Sequence, residues 1–129
     1  MEVICHAMLF ADKVITEKNG KKGLIGIFSR LFFNNLPARP LPWYIYLSLT
    51  NIIGKHDFSI NLICDENQQA IFSVSGELEA PNLNTEIEID IPVHNVQFPK
   101  QGIYNMIFYL NGKQVASKVL QVEVKELKQ

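Results

Sequence analysis

At 129 residues the chain has the length of one domain, long enough to bury about two thirds of its unfolded surface. Hydrophobic residues make up 47% and charged residues 19%, which excludes the disordered class. A net charge of -1 supplies no positive field for gathering nucleic acid.

Helical periodicity is almost absent, whereas period-2 runs bounded by Gly, Pro, Asn and Asp recur along the chain. The first run, Val3 to Thr16, is expected to bend near Ala11 to Lys13. It ends at Asn19-Gly20, with Lys18, Lys21 and Lys22 around the turn, so Leu24 to Phe28 should return antiparallel to Val14 to Glu17. Ser29 to Pro42 holds Pro37, Pro40 and Pro42, which deny ladder hydrogen bonds; it should cross between sheets or follow an edge.

Trp43, Ile45, Leu47 and Leu49 then share one strand face, with Tyr44, Tyr46, Ser48 and Thr50 on the other. Phe58, Ile60, Leu62 and Cys64 repeat the pattern before a turn at Asp65 to Gln69, and a strand from Ala70 to Leu78 follows. After a break at Ala80 to Asn84, Ile87, Ile89, Ile91 and Val93 alternate with Glu86, Glu88 and Asp90. That acidic row reads as a solvated face that also discourages edge pairing.

Phe98 to Gly102 forms a turn, and Tyr104, Met106, Phe108 and Leu110 alternate up to a second Asn-Gly at Asn111-Gly112. In the last strand the apolar phase changes between Val119 and Leu120, which predicts a β-bulge there. From Leu127 the polar end should fray.

The expectation is therefore a single all-β domain over 1–129, a two-sheet antiparallel β-sandwich of about seven to nine strands. The pair Gly102-x-Tyr104 ahead of a tight hairpin resembles the corner where immunoglobulin-like sandwiches place a tyrosine that bonds back to the chain. Met106 stands where antibody domains carry a cysteine, so the resemblance does not extend to their disulfide.

Ala11-Asp12-Lys13-Val14 before the first hairpin, the proline-containing crossover before Trp43, and Phe98-Pro99-x-x-Gly102-x-Tyr104 also resemble a family of small uncharacterised bacterial proteins of unknown function. That resemblance implies a small β-sandwich and supplies no activity, ligand or catalytic residue to carry over.

The residues themselves offer little chemistry. No phosphate loop, dinucleotide fingerprint or nucleophile elbow is present. His6, His56 and His94 stand apart, and Cys5 and Cys64 lie in apolar phases as reduced thiols, so no metal, cofactor or Cys-His nucleophile is expected. The acids Glu77, Glu79, Glu86, Glu88 and Asp90 lie on exposed faces, where nothing separates their proton affinities for glycoside hydrolysis.

No signal peptide or membrane span is read, because the Val3 to Ala11 run lacks a basic flank and a cleavage site. The expected compartment is the cytoplasm. Neither nucleic acid nor membrane is an expected partner.

What remains is a surface. Arg30, Phe32, Phe33, Leu36, Arg39, Trp43, Tyr44 and Tyr46 concentrate aromatic, apolar and Arg side chains around the prolines, the composition of interface centres. The plainer reading has Phe32, Phe33 and Trp43 plugging one end of the sandwich. The leading functional expectation is a non-catalytic interaction module for a protein partner or for self-association. The alternative is small-ligand or carbohydrate binding, with Trp43, Tyr44 or Tyr46 as a stacking platform; an enzyme ranks third.

Overall fold

The computed structural model describes residues 2–125. The expected fraying from Leu127 lies outside them. Among the described residues there are nine strands and no helix: β1 (Ile4–Thr16), β2 (Lys22–Phe28), β3 (Arg30–Phe33), β4 (Trp43–Thr50), β5 (Gly54–Cys64), β6 (Ala70–Ala80), β7 (Ile87–Val93), β8 (Gly102–Leu110) and β9 (Lys113–Val124). One sheet has the order β2-β1-β4-β7 and the other β3-β9-β8-β5-β6.

The first sheet is antiparallel throughout. In the second, β3 runs parallel to β9, and the sheet is mixed and curls as a half-barrel. This corrects the expected antiparallel sandwich. The cause is local: only Ser29 separates β2 from β3, so one extended segment leaves the edge of the first sheet and joins the edge of the second without reversing. Gln121 N–H donates to the Ser29 carbonyl at 2.9 Å as it does so.

Alternation is clean wherever one face is buried. Trp43, Ile45, Leu47 and Leu49 of β4 pack toward Ile60 and Leu62 of β5 and Tyr104, Met106 and Phe108 of β8 in one buried cluster. Each such side chain stabilises the fold by about 1.5–3 kcal/mol relative to exposure.

The first hairpin forms, but in a different register from the expected one: Leu24 to Phe28 lie opposite Phe10 to Val14, and Lys22 and Gly23 pair with Thr16 and Ile15. Its loop is closed by Gly20 N–H on the Glu17 carbonyl at 2.9 Å, and Gly20 alone of the Asn-Gly pair takes positive φ, +89°. In the second hairpin both Asn111 and Gly112 do so, as a two-residue type I′ turn requires.

Two expected irregularities fall elsewhere. β1 continues through Ala11 to Lys13, and its pairing with β4 shifts register between Cys5 and Ala7 instead. What changes after Ala11 is the partner, because Lys13 to Thr16 pair with β2 alone. Nor does β9 slip at Val119. Its register shift lies opposite Phe108 and Tyr109, leaving Val115 as the extra residue. Val119 and Leu120 face opposite sides of a regular strand, Leu120 into the core and Val119 outward with 48% exposure.

Tyr104 is buried and its hydroxyl donates to the Lys100 carbonyl at 2.6 Å, the bond back to the chain that the Gly-x-Tyr spacing predicts. Burial pushes its phenol above the usual tyrosine range. The crossover is fastened to the same corner. Ala38 and Phe98 exchange backbone hydrogen bonds at 3.1 and 2.8 Å, and the Phe98 ring meets Tyr104 edge-on at 5.1 Å.

Candidate functional site

The aromatic crossover does not form one surface. Trp43 is 2% exposed, edge-on to Phe10 at 5.3 Å and Phe28 at 5.4 Å, so it offers no stacking platform. Its indole N–H has no hydrogen-bond partner among the described residues and lies in an aromatic pocket. Phe33 packs at 6.0 Å on Phe98, and Leu36 is half-buried against the core. Trp43 and Phe33 thus do fill the interior, while Phe32 does not.

Phe32 points away from the core with 51% exposure, and Lys125 Nζ lies 5.5 Å from its ring centroid. Arg30, on the same side of β3, approaches Glu123 at 4.0 Å. Arg39 is exposed in the crossover. Tyr44 and Tyr46 sit half-buried on the outer face of β4, in the other sheet.

There the acidic row is engaged. Tyr46 Oη donates to Glu88 Oε2, Ser48 Oγ donates to Glu86 Oε1 at 2.6 Å, and Lys22 pairs with Asp90 at 3.1 Å. Partial burial, then the hydrogen bond and charge of Glu88, push the Tyr46 phenol from 10.0 to about 12. The neutral phenol is favoured in the folded chain. Its contribution to stability is therefore full below pH 10 and falls as pH rises through about 12. Denaturant unfolding at pH 8 and at about pH 11 should show a smaller alkaline loss for Tyr46→Phe than for the unaltered chain.

Local pattern reading missed the outer face of β9, β8, β5 and β6. Because Tyr104, Met106 and Phe108 point inward, Ile103, Asn105, Ile107 and Tyr109 point out. The ladders place Ile107 against Asn61 and Ser117, Tyr109 against Ser59, Asn105 against Ile63 and Val119, and Ser73 and Ser75 beyond Asn61 and Ser59. Every residue of this block is uncharged. Glu123, Asp57, Glu77 and Glu79 stand at its margins, as does Asp65, whose carboxylate accepts from Asn105 Nδ2 at 3.2 Å.

At about 4.8 Å between strands and 3.3 Å per residue the block covers on the order of 500 Å². That is much of the ~800 Å² each partner contributes to a stable protein interface. Its centre is depleted of charge and carries a tyrosine, as interface centres do. The available signal was the outer phase of β8, where Ile, Ile and Tyr occupy positions that a solvated strand fills with charge.

The loop end nearest the Asn111-Gly112 turn is concave. A cavity of about 410 Å³ is lined by Glu2, Val3, His56, Leu110, Asn111 and Lys113 among others. Its polar groups are largely partnered. His56 Nε2 lies 2.8 Å from the Ile53 carbonyl, which can only accept, so the proton sits on Nε2 and Nδ1 accepts from Asn111 Nδ2 at 2.8 Å. Asn111 Oδ1 in turn accepts from Asp57 N–H at 3.0 Å, and Lys113 pairs with Glu2 at 3.6 Å.

Cys64 is buried and Cys5 half-buried, with burial pushing the Cys5 thiol up and so leaving it weakly nucleophilic. Among the described residues no three His, Cys, Asp or Glu side chains are grouped to hold a metal. No helix among them is long and apolar enough to cross a membrane.

The family model described as a family of unknown function (DUF6941) matches residues 6–123. The chain belongs to that family. The match spans all nine strands in whole or in part, including both Asn-Gly hairpins, the crossover and the Tyr104 corner. Comparison of this DUF6941 chain with curated proteins and with solved structures gives no match.

Proposed function

We propose that this DUF6941 chain is a non-catalytic protein-interaction module of immunoglobulin-like build that presents the outer face of β9, β8, β5 and β6 to a protein partner. The observation that carries the reading is the uncharged block around Ile107 and Tyr109 on a sheet whose margins hold the charge. An outward row in which Ile107 and Tyr109 are half-buried and Ile103 and Val119 exposed, with no charge among them, favours a dry contact with a partner over contact with water.

The immunoglobulin-like assignment is supported by the Tyr104 bond to Lys100 and by the order β9-β8-β5-β6, which parallels the G-F-C-C′ order of variable-type domains. In that correspondence β1 is an insertion between β2 and β4. The free thiols Cys5 and Cys64 accord with a cytoplasmic setting.

The test compares proteins retained from a cell extract by the immobilised chain, by the double variant Ile107→Glu/Tyr109→Glu, and by Ile25→Glu on the other sheet. The block is outward, so the double variant should stay folded by circular dichroism. Loss of a specific retained protein by the double variant alone is the expected result. Equal retention by all three would overturn the reading.

A further inference from the structure

We propose that two copies of this chain pair antiparallel along their β6 strands, joining the two curled sheets into one continuous ten-stranded sheet. The inference concerns the free edge of β6, whose outward Ser73 and Ser75 also form the border of the proposed face, and it stands whether or not that face binds a partner.

A strand edge offers unpaired backbone groups, and three of the four edges here are blunted. β7 carries Pro92 and the acidic row. β2 is kinked by Gly26 at φ +71°, where the Asp12 carboxylate would lie 2.2 Å from an added Cβ, and β3 has four residues. β6 is the long exception. Its eleven residues contain no proline, and from Ala70 to Gly76 no charge. Its pairing with β5 is irregular only near Ile71. Ile71, Phe72 and Val74 remain half-buried, packed on the rim of the core with nothing beyond them.

The charge pattern favours a second copy as the occupant. Ser75 is the midpoint of β6, so a two-fold axis there pairs Ser75 with Ser75 of the second copy. Glu77 then faces Ser73 of that copy, and Glu79 falls opposite the bulged Ile71, whose side chain packs on the core. No like charges are opposed. On the inner side Val74 meets Gly76 and Phe72 meets Leu78, apolar against apolar. Gly76 is bare because the Phe58 ring occupies the place of its Cβ, which would lie 3.0 Å from that ring.

The experiment adds one cysteine at a time to the full chain carrying Cys5→Ser, with Cys64 left buried in the core and the Cys5→Ser chain as the control. Directly opposed strand residues have Cα atoms about 4.5–5.5 Å apart, within disulfide reach, whereas a four-residue offset exceeds ~7 Å. Ser75→Cys should therefore form a covalent dimer on mild oxidation, and Ser73→Cys should not. Ser75→Lys, outward and exposed, should keep its melting temperature and weaken dimerisation about fivefold, as measured by sedimentation equilibrium.

If Ser75→Cys fails to crosslink, or Ser73→Cys crosslinks better, the proposed pairing is overturned. A dimer that persists in Ser75→Lys but dissociates in Ile107→Glu/Tyr109→Glu would also overturn it, placing self-association on the outer face. A chain that is monomeric at every concentration overturns the edge pairing alone.

Discussion

Phe98→Ala should lower stability by about 3–5 kcal/mol, the range for deleting a fully buried aromatic ring. The melting temperature should fall by about 10–20 °C. Phe98 lies between β7 and β8 with no strand of its own, yet it is wholly buried between Phe33 and Tyr104 while its backbone holds Ala38. Its ring therefore joins the tyrosine corner to the parallel strand β3, while its backbone fastens the proline-rich crossover. Phe32→Ala removes a ring of the same size that is 51% exposed, and should cost less than about 1 kcal/mol. Similar losses for the two variants in urea unfolding would refute this account of the crossover.

That contrast marks where the sequence is readable. Strands such as β4 and β7 are legible because a single buried face imposes alternation on consecutive residues. The crossover could be located from its prolines. Which of its aromatics face inward could not, because Phe33 packs half-buried on Phe98 and Trp43 is buried against Phe10, partners far away in the chain.

The parallel pairing of β3 with β9 is equally non-local, joining Arg30 to Gln121. The apolar pair Val119-Leu120 imitates a slip for a different reason, because Val119 is an apolar residue that points outward. Val119 lies on the outer block, so the apparent irregularity was a trace of the candidate surface. The block itself needs four strands in register before Ile107, Tyr109 and Asn61 become neighbours.

Asn111→Ala should cost about 2–4 kcal/mol, the larger part from two lost side-chain hydrogen bonds at about 1 kcal/mol each. The remainder is the strain of a non-Gly, non-Asn residue at φ +51°. Asn111 joins the β8–β9 hairpin to β5 through Asp57 N–H and His56 Nδ1, so its removal leaves the His56 ring held only by the Ile53 carbonyl. Asn111→Gly restores the backbone freedom but not the bonds, and should recover about 1 kcal/mol. Chemical denaturation of the three chains separates the two contributions. An Ala variant as stable as the unaltered chain would mean that the turn residue is not a tether.

The proposed working surface is the outer face of β9, β8, β5 and β6, and the most direct measurement is where a bound protein touches the chain. A photo-crosslinking amino acid at position 109 probes that face, and the same probe at position 44 reports on the opposite sheet. Irradiation in cells should yield a discrete adduct from position 109 and none from position 44. Adducts from position 44 alone would place the contact on the sheet that carries Glu86, Glu88 and Asp90, and would contradict the assignment.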